Sequence, residues 1–198
     1  MIKKKKVAIV GSVGLPANYG GFETMVYYLT KHKHSEIDFT IYCQAIPKEQ
    51  RMKEYNGSKL TYLPFKANGA QSIIYDKVSI ILSWFKFDSI LILGTGGAVI
   101  LPFLKLFKNT KTIVNFGGLE WKRDKWGKFG KWFLRLTEKI AIKNATVIVA
   151  DNQHFCDYIL EEYGKESVLI EYGGNHTSKK QKSEPLLKKY PFLNKTYD

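Results

Sequence analysis

Short apolar runs alternate with helix-patterned stretches along most of the chain, and this alternation restricts the fold more than any other feature. Residues 7–10, 37–43, 60–65, 90–93, 113–116, 147–150 and 168–170 read as strands. Residues 22–32, 71–85, 126–143 and 153–163 carry apolar side chains at helical spacing. Strands separated by helices form βαβ units, because a parallel neighbour is reached only by a long crossover. The strands are near-continuous apolar runs, as expected where both sheet faces are covered. The predicted fold class is therefore α/β: a Rossmann-like, doubly wound, mostly parallel sheet with helices on both faces. The uncharged stretch 89–104, "SILILGTGGAVILPFL", is too short to cross a bilayer. It reads instead as strand, loop and helix.

Composition narrows the class of partner. Hydrophobic residues make up 44% of the 198, enough for a packed core and too many for general disorder. Thirty-one Lys and Arg against 18 Asp and Glu give a net charge of +13. Such an excess predicts an acidic partner: nucleic acid, an anionic membrane surface or a phosphorylated ligand. Cys43 and Cys156 stand in no metal-ligand spacing and read as free thiols of a reducing compartment. No His/Cys/Asp/Glu set has metal spacing, so neither metal nor cofactor is expected. "MIKKKK" is followed by too short an apolar run to be a secretory signal. Residues 1–172 read as one Rossmann-like domain, and the polar, basic stretch from Gly173 as a linker or tail through 198.

Three loops follow strand ends, where open α/β sheets bind ligands. The first is "VGSVGLPANYGGFET", residues 10–24. It lacks the Lys-Ser/Thr of a phosphate-binding P-loop. It also lacks the spacing and the downstream acid of a dinucleotide fingerprint, so NAD is not expected. Its length exceeds a tight turn, and its glycines admit close approach of backbone N–H groups to a phosphate near a helix N-terminus. Ser12, Gly14, Asn18, Tyr19, Gly20 and Gly21 are the candidate binding residues, with positive φ expected at Gly20 and Gly21. Glu23 reads mainly as a complement to the helix dipole. The second loop, "ILGTGGA", offers Gly94, Thr95, Gly96 and Gly97. Its alternative reading is a helix start capped by Thr95. The third, "GGLEWKR", offers Glu120 as a base or hydroxyl-orienting group and Lys122 and Arg123 for phosphate. Its alternative is a salt-bridged surface loop.

Residues 121–143 mix tryptophan and phenylalanine with lysine and arginine. Trp126, Phe129 and Trp132 are spaced three apart, with Lys125, Lys128 and Lys131 beside them. On one helix these would form an aromatic stripe and a basic stripe, the pattern of an interfacial segment on an anionic membrane.

Several of these stretches carry a resemblance. "GSVGLPANYGGFET", "GGLEWKRDKW", "ADNQ" and "YPFLNKTYD" resemble the amino-terminal domain of GT4-type bacterial glycosyltransferases of the rhamnosyltransferase-like branch, a DUF1972-like domain. The resemblance implies one half of a GT-B architecture, with the donor-binding half beyond residue 198 and this half inactive alone. It implies a retaining transferase moving rhamnose or a related sugar to a lipid-linked saccharide, in capsule, O-antigen or exopolysaccharide synthesis. The donor would be a dTDP- or UDP-sugar, and the place of work the inner face of the cytoplasmic membrane. The rival reading is a basic nucleic-acid-binding α/β module. It has no recognisable nucleic-acid motif and leaves the glycine loops unexplained, so no nucleic-acid partner is expected.

Overall fold

The computed structural model describes residues 4–18, 20–108 and 110–173. Tyr19 and the expected linker from residue 174 onward lie outside the described residues. In chain order the elements are β1 (Lys5–Val10), α1 (Gly21–Lys31), β2 (Ile37–Cys43), β3 (Glu54–Tyr55), β4 (Ser58–Tyr62) and α2 (Ser72–Trp84). Then come β5 (Ser89–Leu93), α3 (Leu101–Lys105), β6 (Lys111–Phe116), α4 (Lys128–Asn144), β7 (Val147–Ala150), α5 (Gln153–Tyr163) and β8 (Val168–Leu169). They form one 8-stranded sheet in the order β3-β4-β2-β1-β5-β6-β7-β8. Every neighbouring pair is parallel except β3 with β4. β2 lies on one side of β1 and β5 on the other, so the direction of winding reverses at β1.

Some boundaries differ from the sequence reading. The third expected strand is Ser58–Tyr62 rather than 60–65. Leu63 still donates to the Cys43 carbonyl, but Pro64 has no N–H with which to continue the ladder. A short hairpin precedes it, turning at Asn56 and Gly57, both at positive φ. The expected helix from Trp126 begins at Lys128, behind Gly127 at the N-cap.

The pleat sorts the core into two faces. Ala8 and Val10 of β1, Ile90 and Ile92 of β5 and Val114 of β6 meet Tyr75, Ile80 and Trp84 of α2, Leu101 and Leu104 of α3 and Ala141 of α4. Further along the same face, Phe116, Ile148 and Ala150 pack with Ile142 of α4 and Ile159 of α5. On the opposite face Ile9, Phe39, Ile41 and Leu93 meet Val26 of α1. Helices lie on both faces as expected, but unevenly, with α2 to α5 on one and α1 on the other. Beyond α1 no further helix of the described residues covers that second face, which holds a cavity of about 740 Å³ floored by Val7, Leu91, Ile113 and Val149 and edged by residues 170–173.

Candidate functional site

The carboxyl ends of β1 and β5 meet where the strand order reverses, which is where open α/β sheets form a ligand crevice. Gly11 leaves β1 at φ +92, so close to β5 that a Cβ there would collide with the Leu93 carbonyl. Gly14, at φ +113, lies against the end of β2, where a Cβ would stand 2.5 Å from Cys43 Sγ. Both conformations belong to glycine. The loop is then pinned from three directions. Gln44 N–H donates to the Val13 carbonyl at 3.0 Å. The buried Tyr75 hydroxyl lies 2.8 Å from the Ser12 carbonyl and 2.7 Å from the Tyr42 carbonyl, sharing one proton between them. Glu23 reaches back from the first turn of α1. Its Oε1 accepts from Val13 N–H at 2.8 Å and its Oε2 from Gly20 N–H at 2.9 Å.

Glu23 is 4% exposed. It therefore does more than complement the helix dipole, because it clamps both ends of the glycine loop. The expectation for Gly20 and Gly21 needs correction. Gly20 is extended at φ −140, and positive φ is found instead at Gly11 and Gly14. Among the described residues a Cβ added at Gly21 would meet no heavy atom within 4 Å, so none of them requires glycine there. What remains for Gly21 is access, since it opens α1 and its first-turn amides have no intrahelical acceptor. Ser12 is buried, and its hydroxyl has no partner among the described residues. Asn18 is exposed in the same loop.

After β5, Gly94 stands at φ +83 and donates to the Asn115 carbonyl at 3.0 Å. Thr95 accepts from Ala98 N–H through its carbonyl, and the cap position of the following turn belongs to Gly97. Gly97 is a packing glycine, because a Cβ would stand 2.5 Å from the Cβ of Asp76 on α2. Gly96 faces the Asp76 carboxylate, with Oδ2 3.2 Å from its Cβ position. Asp76 is not among the residues that the sequence singles out. Its carboxylate has no hydrogen-bond or ion-pair partner among the described residues, and burial pushes its pKa up to about 7.

After β6 the third loop is held by packing and charge. The Phe22 ring fills the space a Cβ would take at Gly117, 2.5 Å away, so that glycine serves the α1 contact. Glu120 is paired with Arg123 Nη1 at 2.8 Å and with Lys125 Nζ at 3.7 Å, which is the salt-bridged surface arrangement. Lys122 lies over the Trp121 ring at 5.4 Å, and Arg135 at 5.0 Å. Beneath them Glu138 of α4 is 1% exposed. It accepts from Trp121 Nε1 at 3.1 Å, the Tyr158 hydroxyl at 2.7 Å and the Tyr163 hydroxyl at 2.6 Å. This carboxylate ties the loop to α4 and α5, and its only signal in the sequence is an acid at a core-facing helical position. Among the described residues no cluster of three His, Cys, Asp or Glu side chains could hold a metal ion.

The three loops thus stand side by side on one sheet edge, with the order β1, β5, β6. The amides of Thr95, Gly96 and Gly97 have no backbone acceptor among the described residues, and the third loop carries Lys122 over Trp121 and Arg123 paired with Glu120. Such an edge can receive a polar, anionic ligand.

This is an α/β, Rossmann-like domain with its crevice at the reversal point, the fold expected for one half of a GT-B enzyme. The chain belongs to the family described as a domain of unknown function, DUF1972, whose model matches residues 4–175. Among solved structures it is similar to sucrose-phosphate synthase from Thermosynechococcus elongatus, with a TM-score of 0.68 and 11% identity over 86% of this chain and 48% of that one. It is also similar to Anabaena HepE in complex with UDP and glucose, with a TM-score of 0.58 and 13% identity over 96% of this chain and 50% of that one. A third likeness is UDP-N-acetylglucosamine 2-epimerase from Rickettsia bellii, with a TM-score of 0.52 and 15% identity over 98% of this chain and 49% of that one. The chain spans about half the length of these three proteins. No curated protein matches its sequence.

Proposed function

We propose that the chain is the acceptor-side domain of a retaining glycosyltransferase. The donor is a nucleotide sugar, dTDP- or UDP-linked, and the group moved is rhamnose or a related sugar. The acceptor is a lipid-linked saccharide of capsule, O-antigen or exopolysaccharide synthesis. One observation carries this reading. The glycine loop that resembles the rhamnosyltransferase-like branch lies at the reversal point between β1 and β5, pinned open by Glu23 and Tyr75. The fold likeness to HepE, which was solved with UDP and glucose, supports a nucleotide sugar as the ligand class. In this role the first-turn amides of α1 and the amides of Thr95, Gly96 and Gly97 approach the donor phosphates. Lys122 and Arg123 stand on the next loop to add charge. The Glu120 carboxylate would act only after leaving its pairing with Arg123 and Lys125.

The test is access at Gly21, where the fold leaves room for a side chain. In the enzyme that carries this domain, Gly21→Val keeps the melting temperature of the parent and lowers sugar transfer from dTDP-rhamnose or a UDP-sugar by roughly a hundredfold, about 2.7 kcal/mol at the barrier. Transfer at the parental rate would reduce the loop to a turn and remove the reading.

A further inference from the structure

The stretch read as an interfacial segment is organised differently from the sequence expectation, and the difference enlarges it. Trp126 lies before α4 rather than on it. Its ring packs on Gly130, where a Cβ would stand 3.3 Å away, and Lys125 lies 5.0 Å from its centroid. It is half-buried and turned to the protein. Phe129 and Trp132 point outward, at 76% and 59% exposure, with ring centroids 5.7 Å apart. α3 packs beside α4 on the same face of the sheet. From α3 and the turn after it, Phe103, Leu106 and Phe107 are 56%, 79% and 65% exposed. Phe103 and Phe107 form a second ring pair, with centroids 5.3 Å apart.

Five large apolar side chains are therefore held in water by two adjoining helices that both start from the crevice edge. Lys105, Lys108 and Lys128 flank them and have no ion-pair partner among the described residues. Lys131 pairs with Asp124 at 3.8 Å, in an exposed position that salt and water screen. A protein partner would have to set an acidic rim around an apolar centre to match this patch. Exposed aromatics ringed by unpaired lysines, in a molecule of net charge +13, match instead the hydrocarbon boundary and phosphate layer of an anionic bilayer.

We infer that Phe103, Leu106 and Phe107 together with Phe129 and Trp132 form one lipid-facing surface, seated on a membrane rich in anionic headgroups, and that Trp126 is no part of it. The surface adjoins the loops after β5 and β6. Under the reading of the protein as a transferase for lipid-linked saccharides, it brings the sugar of a membrane-held acceptor to the crevice.

Flotation of the full chain with phosphatidylcholine vesicles, with and without phosphatidylglycerol, tests this. The parent floats with the anionic vesicles and detaches in part as salt rises. Phe103→Ser with Phe107→Ser, and separately Phe129→Ser with Trp132→Ser, each lower the bound fraction at least roughly tenfold. Trp126→Phe leaves it unchanged. Phe103, Phe107, Phe129 and Trp132 are exposed, so unaltered circular dichroism is expected of both double variants. As a second measurement, brominated lipid quenches part of the parent's tryptophan fluorescence on binding, and Trp132→Phe removes that quenched part. Parental flotation by both double variants, or a parent that ignores anionic vesicles, overturns the inference. So does a loss of self-association in the variants without loss of flotation, which assigns the patch to a second copy. In the enzyme that carries this domain, transfer to a water-soluble acceptor distinguishes the two readings. If it survives while flotation fails, the surface is wrong and the transferase reading stands. If flotation holds and no acceptor is ever glycosylated, the reverse is true.

Discussion

At the scale of single residues, one class of side chain does several unrelated jobs along the crevice. Gly14, Gly20, Gly21, Gly94, Gly96 and Gly97 read from sequence as candidate ligand-facing positions, and Gly11 and Gly117 do not. Gly11 and Gly14 are set by backbone conformation, Gly97 and Gly117 by the Asp76 and Phe22 side chains they admit, and Gly21 by nothing among the described residues. Sequence shows that a residue lacks a side chain but not which neighbour needs the space, so this division is illegible until the strands are placed. Asp76 escapes notice for the opposite reason, since an acid in the first half of a helix is ordinary. Its consequence is measurable. Burial raises its pKa from 3.8 to about 7. Between those values the folded protein holds a proton that the unfolded chain releases, so its contribution to stability falls as pH rises through that window. Urea denaturation at closely spaced pH values is expected to show this fall in the parent and its absence in Asp76→Asn. The variant is also expected to be about 1–3 kcal/mol more stable than the parent at pH 8. Equal slopes in the two proteins would mean that Asp76 stays ionised and solvated.

At the scale of elements, apolar runs are legible in the sequence, down to the two-residue β8 expected at 168–170, and elements without such a run are not. The strands at 7–10, 37–43, 90–93, 113–116 and 147–150 and the helices at 22–32 and 153–163 stand within two residues of their expected places. The β3–β4 hairpin escapes the apolar pattern although Asn56–Gly57 is a strong turn signal, because its first strand has only two residues and no apolar run. Aromatic spacing places the start of α4 too early, since Gly127 ends the stretch that Trp126 belongs to. The loop after β6 shows how elements are locked together. The buried Glu138 on α4 receives three part-buried donors, one from the loop and two from α5. Glu138→Ala leaves all three without an acceptor and is expected to cost roughly 3–5 kcal/mol. Tyr158→Phe removes one donor together with its demand and is expected to cost only about 1 kcal/mol. Thermal melts of the two variants check the ratio. Equal losses would show that the packing of α5, rather than the carboxylate, holds the loop.

At the scale of the whole molecule, the two faces of the sheet differ more than near-continuous apolar strands lead one to expect. Right-handed crossovers send the chain one way from β1 to β2 through α1 and the other way from β5 to β8 through α3, α4 and α5. Among the described residues, the reversal that creates the crevice therefore also leaves α1 the one helix on its face. Apolar content cannot reveal this, because Leu91, Ile113 and Val149 are apolar whether or not a helix covers them. Neighbouring residues of β6 make the asymmetry testable. Ile113 floors the open cavity of about 740 Å³, while Val114, one residue on and pointing the other way, is 0% exposed between β5, β7 and the helices. A larger ring at position 113 has free volume to enter, and one at 114 must displace close-packed neighbours. Ile113→Phe is therefore expected to change the urea-unfolding free energy by less than about 1 kcal/mol. Val114→Phe is expected to lower it by about 1–3 kcal/mol or more. If position 113 proves as intolerant as 114, the cavity is closed in solution, and the face beyond α1 is covered after all.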